Sequence, residues 1–453
     1  MQSVDPTTGK KIKDYHEFSL SKINGILKHA EKAFRSWRLL SFKERALLMK
    51  KAAGILRRDK DQYARLMAME MGKPFTQGQG EIEKCALVCD FYAEHAEFFL
   101  TTEPVRTEAA KSFVTYEPLG IVLAVMPWNF PFWQVFRCAA PTLMAGNAVI
   151  LKHASNVCGC ALSIEKIFKE AGFPPSLFSN VLIPSTQVKD LIEHPLVKAV
   201  SLTGSTGAGK SIAAHAGAVL KKVVLELGGS DPYIILENAD LEAAVEACVN
   251  SRLINGGQSC ISAKRFIVLA SIFKEFEERF TSRMQLQRMG PPLHEGVNLG
   301  PMARHDLRDH LHWQVSRSIK QGAKLLVGGE IPHGPGAFYP PTVLTKVRPK
   351  MVAYQEELFG PVASLIEAAD ENEAIHIAND TVFGLGAAVF TRDIKRGERI
   401  ATEELQAGCC FVNEAVRSDP RLPFGGIKQS GYGRELAESG IREFINVKTI
   451  YIK

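Results

Sequence analysis

Hydrophobic and polar positions follow two different periods along the chain, and this mixture predicts an α/β protein. Apolar residues recur at helical spacing in residues 21–37, 41–60 and 78–99, so the N-terminal part is predicted to be mostly helical. Ser41 with Glu44 three positions later is typical of a capping box at a helix N-terminus.

Short apolar runs bounded by glycine, proline and polar residues then alternate with further helical segments. Strands are predicted at residues 121–126, 148–151, 181–183 and 197–202, with helices near Pro141 and at residues 159–171 and 187–192. This rhythm is typical of a doubly wound nucleotide-binding sheet. After residues 228–229 a second α/β unit is predicted, with strands at 233–236, 265–269 and 324–327 and helices at 241–253, 271–288 and 306–321.

Two β-prone segments belong to neither unit. Residues 111–117 read as an amphipathic strand, and residues 444–452 close the chain with a second one. Exposed strand edges of this kind are commonly covered by another subunit, so both segments are predicted to be edge strands at a subunit contact.

Composition and charge exclude several classes of protein. With 453 residues, 46% hydrophobic and 23% charged, the chain has the composition of a globular protein. Its net charge of +6 comes from basic residues interleaved with acidic ones, so nucleic-acid binding is not predicted. The chain shows neither a secretory signal nor a membrane-spanning run, and the nine cysteines lack zinc-site spacing, so we expect a cytoplasmic protein without a metal.

Residues 204–211, GSTGAGKS, fit the pattern of a phosphate-binding P-loop. The physical requirement behind that pattern is modest, because it asks only for glycines at a strand-to-helix turn that let backbone N–H groups approach phosphate. Taken alone, the motif is compatible with an ATP-hydrolysing protein and with other nucleotide-binding folds.

Three other positions carry candidate chemistry. Cys260 follows a polar, glycine-bearing stretch and is a better candidate nucleophile than cysteines in apolar helices, although a packed free thiol is the alternative. Glu226 lies in apolar sequence, where burial would make it a usable base, unless a lysine or arginine pairs with it. Asn129 stands between two prolines after an apolar strand and could present an amide donor to an oxyanion, or simply form a turn.

Taken together and in order, the motifs of this chain resemble those of the NAD(P)-dependent aldehyde dehydrogenase superfamily. The motifs are PWNFP at 127–131, LKHAS at 151–155, TGSTGAG at 203–209, LELGGSDP at 225–232, GQSC at 257–260, EELFGPV at 356–362 and PFGGIKQSGYGRE at 423–435. Within that superfamily the chain looks most like the bacterial succinate-semialdehyde dehydrogenases, with His153 after the lysine.

The resemblance implies a fold and a division into domains. It implies an α/β protein with a Rossmann-type cofactor domain, an α/β catalytic domain and a small β oligomerisation arm. We expect the NAD(P)-binding domain in residues 1–102 and 121–227 and the catalytic domain in 228–422. The arm would comprise residues 103–120 and 440–453, residues 423–439 would return to the cofactor domain, and the assembly would be a homodimer or homotetramer.

The resemblance also implies roles for individual residues. Cys260 would be the nucleophile, Glu226 the general base, and Asn129 a donor to the developing oxyanion. Lys210 would then match the ATPase lysine only by chance. The residues expected to bind NAD or NADP are Trp128, Lys152, Ser155, Gly204, Ser205, Gly209, Glu357 and Phe359. Ser155 stands where strictly NAD-dependent relatives carry a glutamate, so NADP is predicted to be accepted as well as NAD.

The expected substrate is a short aldehyde that carries a carboxylate, which needs a cationic partner. Arg137 resembles the family's carboxylate-binding arginine, although an ordinary helix-surface arginine is the alternative, and Arg417, Ser418 and Arg421 could add contacts. A second arginine of better-known relatives is replaced here by Ile254, which leaves glutarate semialdehyde and simple aliphatic aldehydes as alternatives. A P-loop hydrolase and a non-catalytic protein of the same fold are the remaining hypotheses.

Overall fold

The computed structural model describes residues 1–453, which form eighteen β-strands and fifteen α-helices. The strands are β1 (Gln2–Val4), β2 (Lys11–Asp14), β3 (Glu103–Pro104), β4 (Lys111–Pro118), β5 (Ile121–Met126), β6 (Ala148–His153), β7 (Phe178–Asn180), β8 (Val197–Thr203), β9 (Lys222–Glu226), β10 (Pro232–Ile235), β11 (Arg265–Leu269), β12 (Lys324–Val327), β13 (Thr342–Thr345), β14 (Val362–Ala368), β15 (Gly386–Phe390), β16 (Cys409–Val412), β17 (Gly431–Tyr432) and β18 (Ile445–Ile452).

The helices surround these strands. They are α1 (Leu20–Trp37), α2 (Phe42–Arg58), α3 (Lys60–Met71), α4 (Phe75–Phe99), α5 (Trp133–Met144), α6 (Cys158–Glu170), α7 (Val188–Glu193), α8 (Thr206–Ala218), α9 (Leu241–Leu253), α10 (Ala270–Gln285), α11 (His305–Lys320), α12 (Val352–Gln355), α13 (Glu371–Asn379), α14 (Ile394–Arg399) and α15 (Ala437–Arg442). Ser41 caps α2 with the predicted capping box, in which its hydroxyl accepts from Glu44 N–H. No helix is both long and apolar enough to cross a membrane.

The first sheet has six strands in the order β17-β9-β8-β5-β6-β7. The five strands from β9 to β7 pair in parallel with one another, and only β17 pairs antiparallel, with β9. Counted along the chain, β5 is flanked by β6 and β8, so the winding reverses between β5 and β8. In doubly wound sheets ligands bind beyond the carboxyl ends of the strands at such a switch point. The predicted doubly wound sheet is therefore confirmed.

The second sheet has seven strands in the order β12-β13-β14-β11-β10-β15-β16, all parallel except β12 against β13. Its central strands are buried on both faces, which explains why β10 and β11 read as continuous apolar runs rather than as alternating ones. The predicted helix α9 and strands β5, β11 and β12 have the predicted bounds.

A small third sheet has the order β18-β4-β3 and stands apart from the other two. Strands β18 and β4 pair antiparallel over eight residues, from Ile445 opposite Pro118 to Ile452 opposite Lys111. The outer strand keeps apolar side chains in solvent, since Val447 is 62% and Tyr451 57% exposed. The prediction that both segments form edge strands is confirmed for β18, whereas β4 lies in the middle of this sheet.

The strand predicted at residues 181–183 is wrong, because the strand ends just before these residues. The strand is β7, Phe178–Asn180, which pairs with Val149–Leu151 of β6. Residues 181–183 are nearly as buried as β7, so hydrophobicity could not distinguish the two runs. Helix α3 and the hairpin β1–β2 were not predicted as separate elements, because neither shows a strong period of its own.

Candidate active site

A cavity of about 430 Å³ lies beside Cys260. Its walls come from α4, from the segment that leads into α5, from the end of α9, from the loop before β11 and from the segment after β16. Apolar side chains form one part of the wall, among them Phe130, Trp133, Ile261 and Phe424. Because several distant segments meet here around a free, half-buried thiol, the cavity is the candidate substrate site.

The loop that carries Cys260 owes its shape to three left-handed residues in succession. Asn255, Gly256 and Gly257 have φ of 54°, 64° and 72°. A Cβ on Gly257 would lie 2.2 Å from the carbonyl oxygen of Gly360, so only glycine fits this approach. The sequence Asn-Gly-Gly thus folds the chain back and presents Cys260 to the cavity.

Asn129 is joined to this loop by hydrogen bonds. Its side-chain Nδ2 donates to the carbonyl of Gln258 at 3.0 Å, and Asn255 Nδ2 donates to the carbonyl of Asn129 at 2.6 Å. Asn129 follows β5 and is 4% exposed, so its amide is fixed at the carboxyl edge of the first sheet. An amide nitrogen has a second hydrogen, which leaves one donor free for a ligand.

Lys264 holds the other side of the Cys260 loop. This lysine is 1% exposed, and its ammonium donates to the carbonyls of Ser259, Cys260 and Ser262 at 2.9, 2.8 and 3.0 Å. It also forms an ion pair with Glu357 at 3.4 Å. Sequence reasoning missed Lys264, because a lysine just before a strand carries no signal of burial.

The surroundings of the Cys260 thiol shift its pKa in opposite directions. Burial raises its pKa to about 12, while the positive charges of Arg137 and Lys264 oppose the rise. A nucleophilic thiol must lose its proton, so reaction requires a base or a further positive charge at the site.

Glu226 lies at the carboxyl end of β9 and is 1% exposed. Neither carboxylate oxygen has a hydrogen-bond partner, so the alternative of a direct lysine or arginine pair is wrong. Burial raises the pKa of Glu226 well above its ordinary value, and the charge of Arg137 opposes this. Glu226 and Cys260 act electrostatically on the same guanidinium, that of Arg137, which places the predicted base and nucleophile in one charged cluster.

Arg137 lies on α5 and lines the cavity, but its charge is already balanced. Its Nε forms an ion pair with Glu435, its Nη2 donates to Thr203 Oγ1 at 3.1 Å, and its guanidinium stacks 4.8 Å from the ring of Phe424. At 2% exposure it is not the ordinary surface arginine that the sequence left open.

The strand-to-helix turn after β8 has the geometry that dinucleotide folds use for phosphate. Ser205 caps α8 by accepting from Ala208 N–H at 3.3 Å. A Cβ on Gly209 would lie 2.5 Å from Leu227, so this glycine permits close helix–strand packing. Lys210 points away and donates to Gln429 Oε1 at 3.3 Å, unlike a lysine that cradles phosphates. The free N–H groups of the α8 N-terminus suit a pyrophosphate.

Lys152 and Ser155 stand at the neighbouring carboxyl end of β6. Lys152 is 9% exposed, and its ammonium makes no hydrogen bond or ion pair within the chain. Burial lowers the pKa of this lysine. Ser155 is exposed at the start of a 3₁₀ turn, Ser155–Val157, with a neutral hydroxyl. A buried cation without a partner fits a nucleotide hydroxyl or phosphate, so the residues present fit the predicted cofactor.

The remaining predicted cofactor residues are Trp128, Glu357 and Phe359. Trp128 and Phe359 meet edge to face at 5.8 Å. Glu357 accepts from Gly229 N–H at 3.1 Å, and a Cβ on Gly228 would lie 2.5 Å from its Oε2. The glycine pair therefore makes room for Glu357, which the sequence alone did not indicate.

The predicted substrate residues differ in their surroundings. Ser418 is 6% exposed, and its Oγ accepts from Lys84 Nζ at 2.7 Å. Arg417 is 64% exposed and pairs with Glu414 at 3.6 Å, while Arg421 is 77% exposed and pairs with Asp419. Lys84 lines the cavity although sequence reasoning did not single it out.

Ile254 stands at the position where better-known relatives were expected to carry a second arginine. Ile254 lines the cavity, whereas Arg252 is fully buried and donates to the Gly257 carbonyl at 2.7 Å. Arg252 supports the Cys260 loop from behind and does not replace the missing cavity arginine.

Comparison with known proteins gives full-length matches. The model of the aldehyde dehydrogenase family matches residues 1–450. A probable succinate-semialdehyde dehydrogenase [NADP(+)] of Synechocystis is 47% identical over 99% of both chains. A succinate semialdehyde dehydrogenase [NAD(P)+] of Escherichia coli K12 is 45% identical over 99% of this chain and 97% of the relative. The solved structure of a succinic semialdehyde dehydrogenase from Streptococcus pyogenes with NADP+ has a TM-score of 0.97 at 38% identity, covering 100% of this chain and 99% of the other.

These matches settle the reading of residues 204–211, and the ATP-hydrolase hypothesis for that motif is wrong. The turn after β8 belongs to a fold whose model spans nearly the whole sequence. With the doubly wound sheet and the cysteine-lined cavity, the full-length match shows that this chain belongs to the aldehyde dehydrogenase family.

Proposed function

We propose that the protein oxidises succinate semialdehyde to succinate, with NADP or NAD as the hydride acceptor. The observation that carries the proposal is the position of Cys260 in the wall of a cavity that also exposes cationic and hydroxyl side chains, Lys84, Arg137 and Ser418. A short aldehyde with a terminal carboxylate matches this division into a thiol end and a polar end. The names of the two bacterial relatives, both succinate-semialdehyde dehydrogenases, support the same substrate.

In the first proposed step Cys260, as thiolate, adds to the aldehyde carbon. A carbon–sulfur bond forms, the carbonyl π bond breaks, and its electron pair moves to oxygen. The free N–H of the Asn129 amide and the backbone N–H of Cys260 are the proposed donors to that oxygen, each worth about 3 kcal/mol of barrier. The hydrogen bond from Asn129 to Gln258, together with Lys264, holds the amide and the thiol loop in fixed relation.

The second half of the reaction needs a base. When the dinucleotide is bound it supplies the hydride acceptor, and loss of hydride from the aldehyde carbon leaves a thioester on Cys260. Glu226 is the proposed acceptor of the proton of the water that hydrolyses this thioester, which releases the carboxylate and returns the thiol. A buried carboxylate without hydrogen bonds is a strong base once ionised, because only the more distant charges of Arg137 and Arg434 stabilise it.

We infer that the first sheet carries the cofactor site. Lys152, Ser155, Gly204, Ser205 and Gly209 all lie at its carboxyl edge. Neutral Ser155 does not repel a 2′-phosphate, and Lys152 has an unused positive charge, so NADP is expected to bind at least as well as NAD. The relative from Streptococcus pyogenes, solved with NADP+, supports this choice.

We extend the proposal to assembly and location. The exposed outer strand β18, with Val447 and Tyr451 in solvent, suits pairing with a second copy in a homodimer or homotetramer. All nine cysteines are free, which suits the reducing cytoplasm. Light scattering on the full chain and on a variant shortened at residue 444 tests the assembly, since the shortened chain is expected to be smaller by at least one interface.

The enzymatic proposal is tested by following the absorbance of the reduced cofactor with succinate semialdehyde, glutarate semialdehyde and butanal. We expect kcat/KM for succinate semialdehyde to exceed that for butanal at least tenfold, and NADP to be used. Cys260→Ala should abolish oxidation, whereas Cys410→Ala, a matched change at another half-buried cysteine outside the cavity, should not. Preference for butanal, or full activity of Cys260→Ala, would refute the proposal.

A further inference from the structure

Lys84 is a cation on the cavity wall that lacks an anionic partner. It lies on α4, and its Nζ donates to Ser418 Oγ at 2.7 Å and stacks 4.2 Å from the ring of Trp133. No carboxylate of the chain lies within 4 Å of this nitrogen, the distance that defines an ion pair. Lys84 is half-buried, and an ammonium that is partly removed from water without an anionic partner costs free energy unless a ligand anion pairs with it.

The acids nearest to Lys84 are all occupied by other groups. Glu81, one helical turn before it, pairs with Lys73 and accepts the N–H groups of Phe132 and Trp133 at the start of α5, both at 2.9 Å. Asp419, next to Ser418, pairs with Arg421 at 2.7 Å. Rearrangement of either acid toward Lys84 would break these contacts, so the chain does not neutralise Lys84 from within.

Arg137, the other deeply placed cation of the cavity, is in a different situation. Glu435 balances its charge in a buried ion pair, and the carboxyl group of Glu226 also lies within electrostatic range. A substrate carboxylate brought to Arg137 would meet two acids as well as the guanidinium. The same carboxylate at Lys84 would meet an ammonium, the hydroxyl of Ser418 and the edge of an aromatic wall.

We propose that Lys84, together with Ser418, binds the terminal carboxylate of the substrate and thereby sets the preference for carboxylated over neutral aldehydes. This inference rests on the proposed function and names the residue that provides its specificity. The ammonium already donates to Ser418, which fixes its direction before the substrate arrives, so little side-chain entropy is lost on binding. Lys84 is thus a specificity-determining residue that sequence reasoning did not single out, whereas the role predicted for Arg137 stays a prediction.

The test compares Lys84→Met with wild type on succinate semialdehyde and on butanal, a neutral aldehyde of the same length. We expect KM for succinate semialdehyde to rise at least tenfold with kcat changed less, while the constants for butanal change less than threefold. Lys84→Arg keeps a cation at this place and is expected to recover most of the preference. Lys22→Met is the matched control, because Lys22 also stacks on an aromatic ring, Phe18, but far along the chain on α1.

The outcomes separate the two proposals. If wild type oxidises butanal as efficiently as succinate semialdehyde, the proposed function fails and this inference fails with it. If wild type prefers succinate semialdehyde and Lys84→Met keeps that preference, only the inference is overturned. An equal loss on both aldehydes, with an unchanged melting temperature and no recovery in Lys84→Arg, assigns Lys84 a structural role and also overturns the inference. Should Lys84→Met not fold, Lys84→Gln enters the same comparison with the same criteria.

Discussion

Replacing Lys264 with Met is expected to destabilise the protein and to release the loop that carries the nucleophile. The ammonium of Lys264 donates to three backbone carbonyls, the buried ones of Ser259 and Ser262 and the partly buried one of Cys260, at 2.8 to 3.0 Å. Each carbonyl left without its donor costs about 1–3 kcal/mol, so the three together imply a loss of at least about 3 kcal/mol. Methionine has nearly the same length, which keeps the packing and removes the charge.

The ion pair between Lys264 and Glu357 adds to this loss but by a smaller amount. Glu357 is 20% exposed at its side chain, so water compensates part of the lost partner. The double variant Lys264→Met with Glu357→Gln removes the unpaired carboxylate as well. We expect it to be no less stable than the single Lys264→Met variant, because the second change relieves part of what the first one exposed.

Urea denaturation at matched protein concentration measures the loss of stability, and the rate of alkylation of Cys260 by iodoacetamide measures the loop. Lys221→Met is the control, since Lys221 also donates to two backbone carbonyls, of Ile192 and His194, but in a more exposed place. The reasoning is refuted if Lys264→Met loses less than about 1 kcal/mol, or no more than Lys221→Met. It is also refuted if the alkylation rate of Cys260 stays unchanged.

Three further outcomes are expected. Because burial raises the pKa of Glu226, kcat/KM should rise with pH as this base ionises. Glu226→Gln should lower kcat at least a hundredfold and flatten this rise. A pH profile like that of the wild type in this variant would exclude Glu226 as the base. Burial, assisted by the charge of Arg137 and opposed by Cys85, Glu81 and Asp419, lowers the pKa of Lys84 to about 8. The preference for succinate semialdehyde over butanal should therefore fall as pH rises through about 8, and a preference independent of pH would contradict this. Gly257→Ala should lower the free energy of unfolding by about 2–4 kcal/mol and remove most of the activity. The control is Gly54→Ala in α2, where an added Cβ meets no atom within 4 Å, and paired melting curves should show it to be neutral or stabilising.

The sequence predicted the doubly wound sheet because the alternation of strands and helices depends on local pattern. Strand β11 and helix α9 are bounded by strong signals, an apolar run and a capping Asp240, and their predicted limits agree with the structure. The roles of Cys260, Glu226 and Asn129 are implied by the ordered family motifs, because each residue taken alone also allows a structural interpretation, and these roles remain predictions. Gly257 could be recognised as unusual, but the atom that demands it, the carbonyl oxygen of Gly360, lies far along the chain.

The parts that the sequence did not predict are those decided by pairing across long separations. Lys264 and Glu357 are 93 positions apart, and their ion pair arises only when β11 and the segment before β14 meet. The ion pair between Arg137 and Glu435 was not predicted either, because Glu435 lies near the other end of the chain. A single sequence shows the charge of a residue but not whether another residue has already neutralised it.

The distribution of charge around the cavity follows a physical logic that connects these findings. A positive charge beside the nucleophile favours thiolate formation, and Arg137 and Lys264 both lower the pKa of Cys260 against the effect of burial. Glu435 and Glu357 balance the charges of these two cations, while Lys84 stays without an acid on the wall of the cavity. The proposed orientation of the substrate therefore follows from which cations the protein has balanced, and not from how many cations line the cavity.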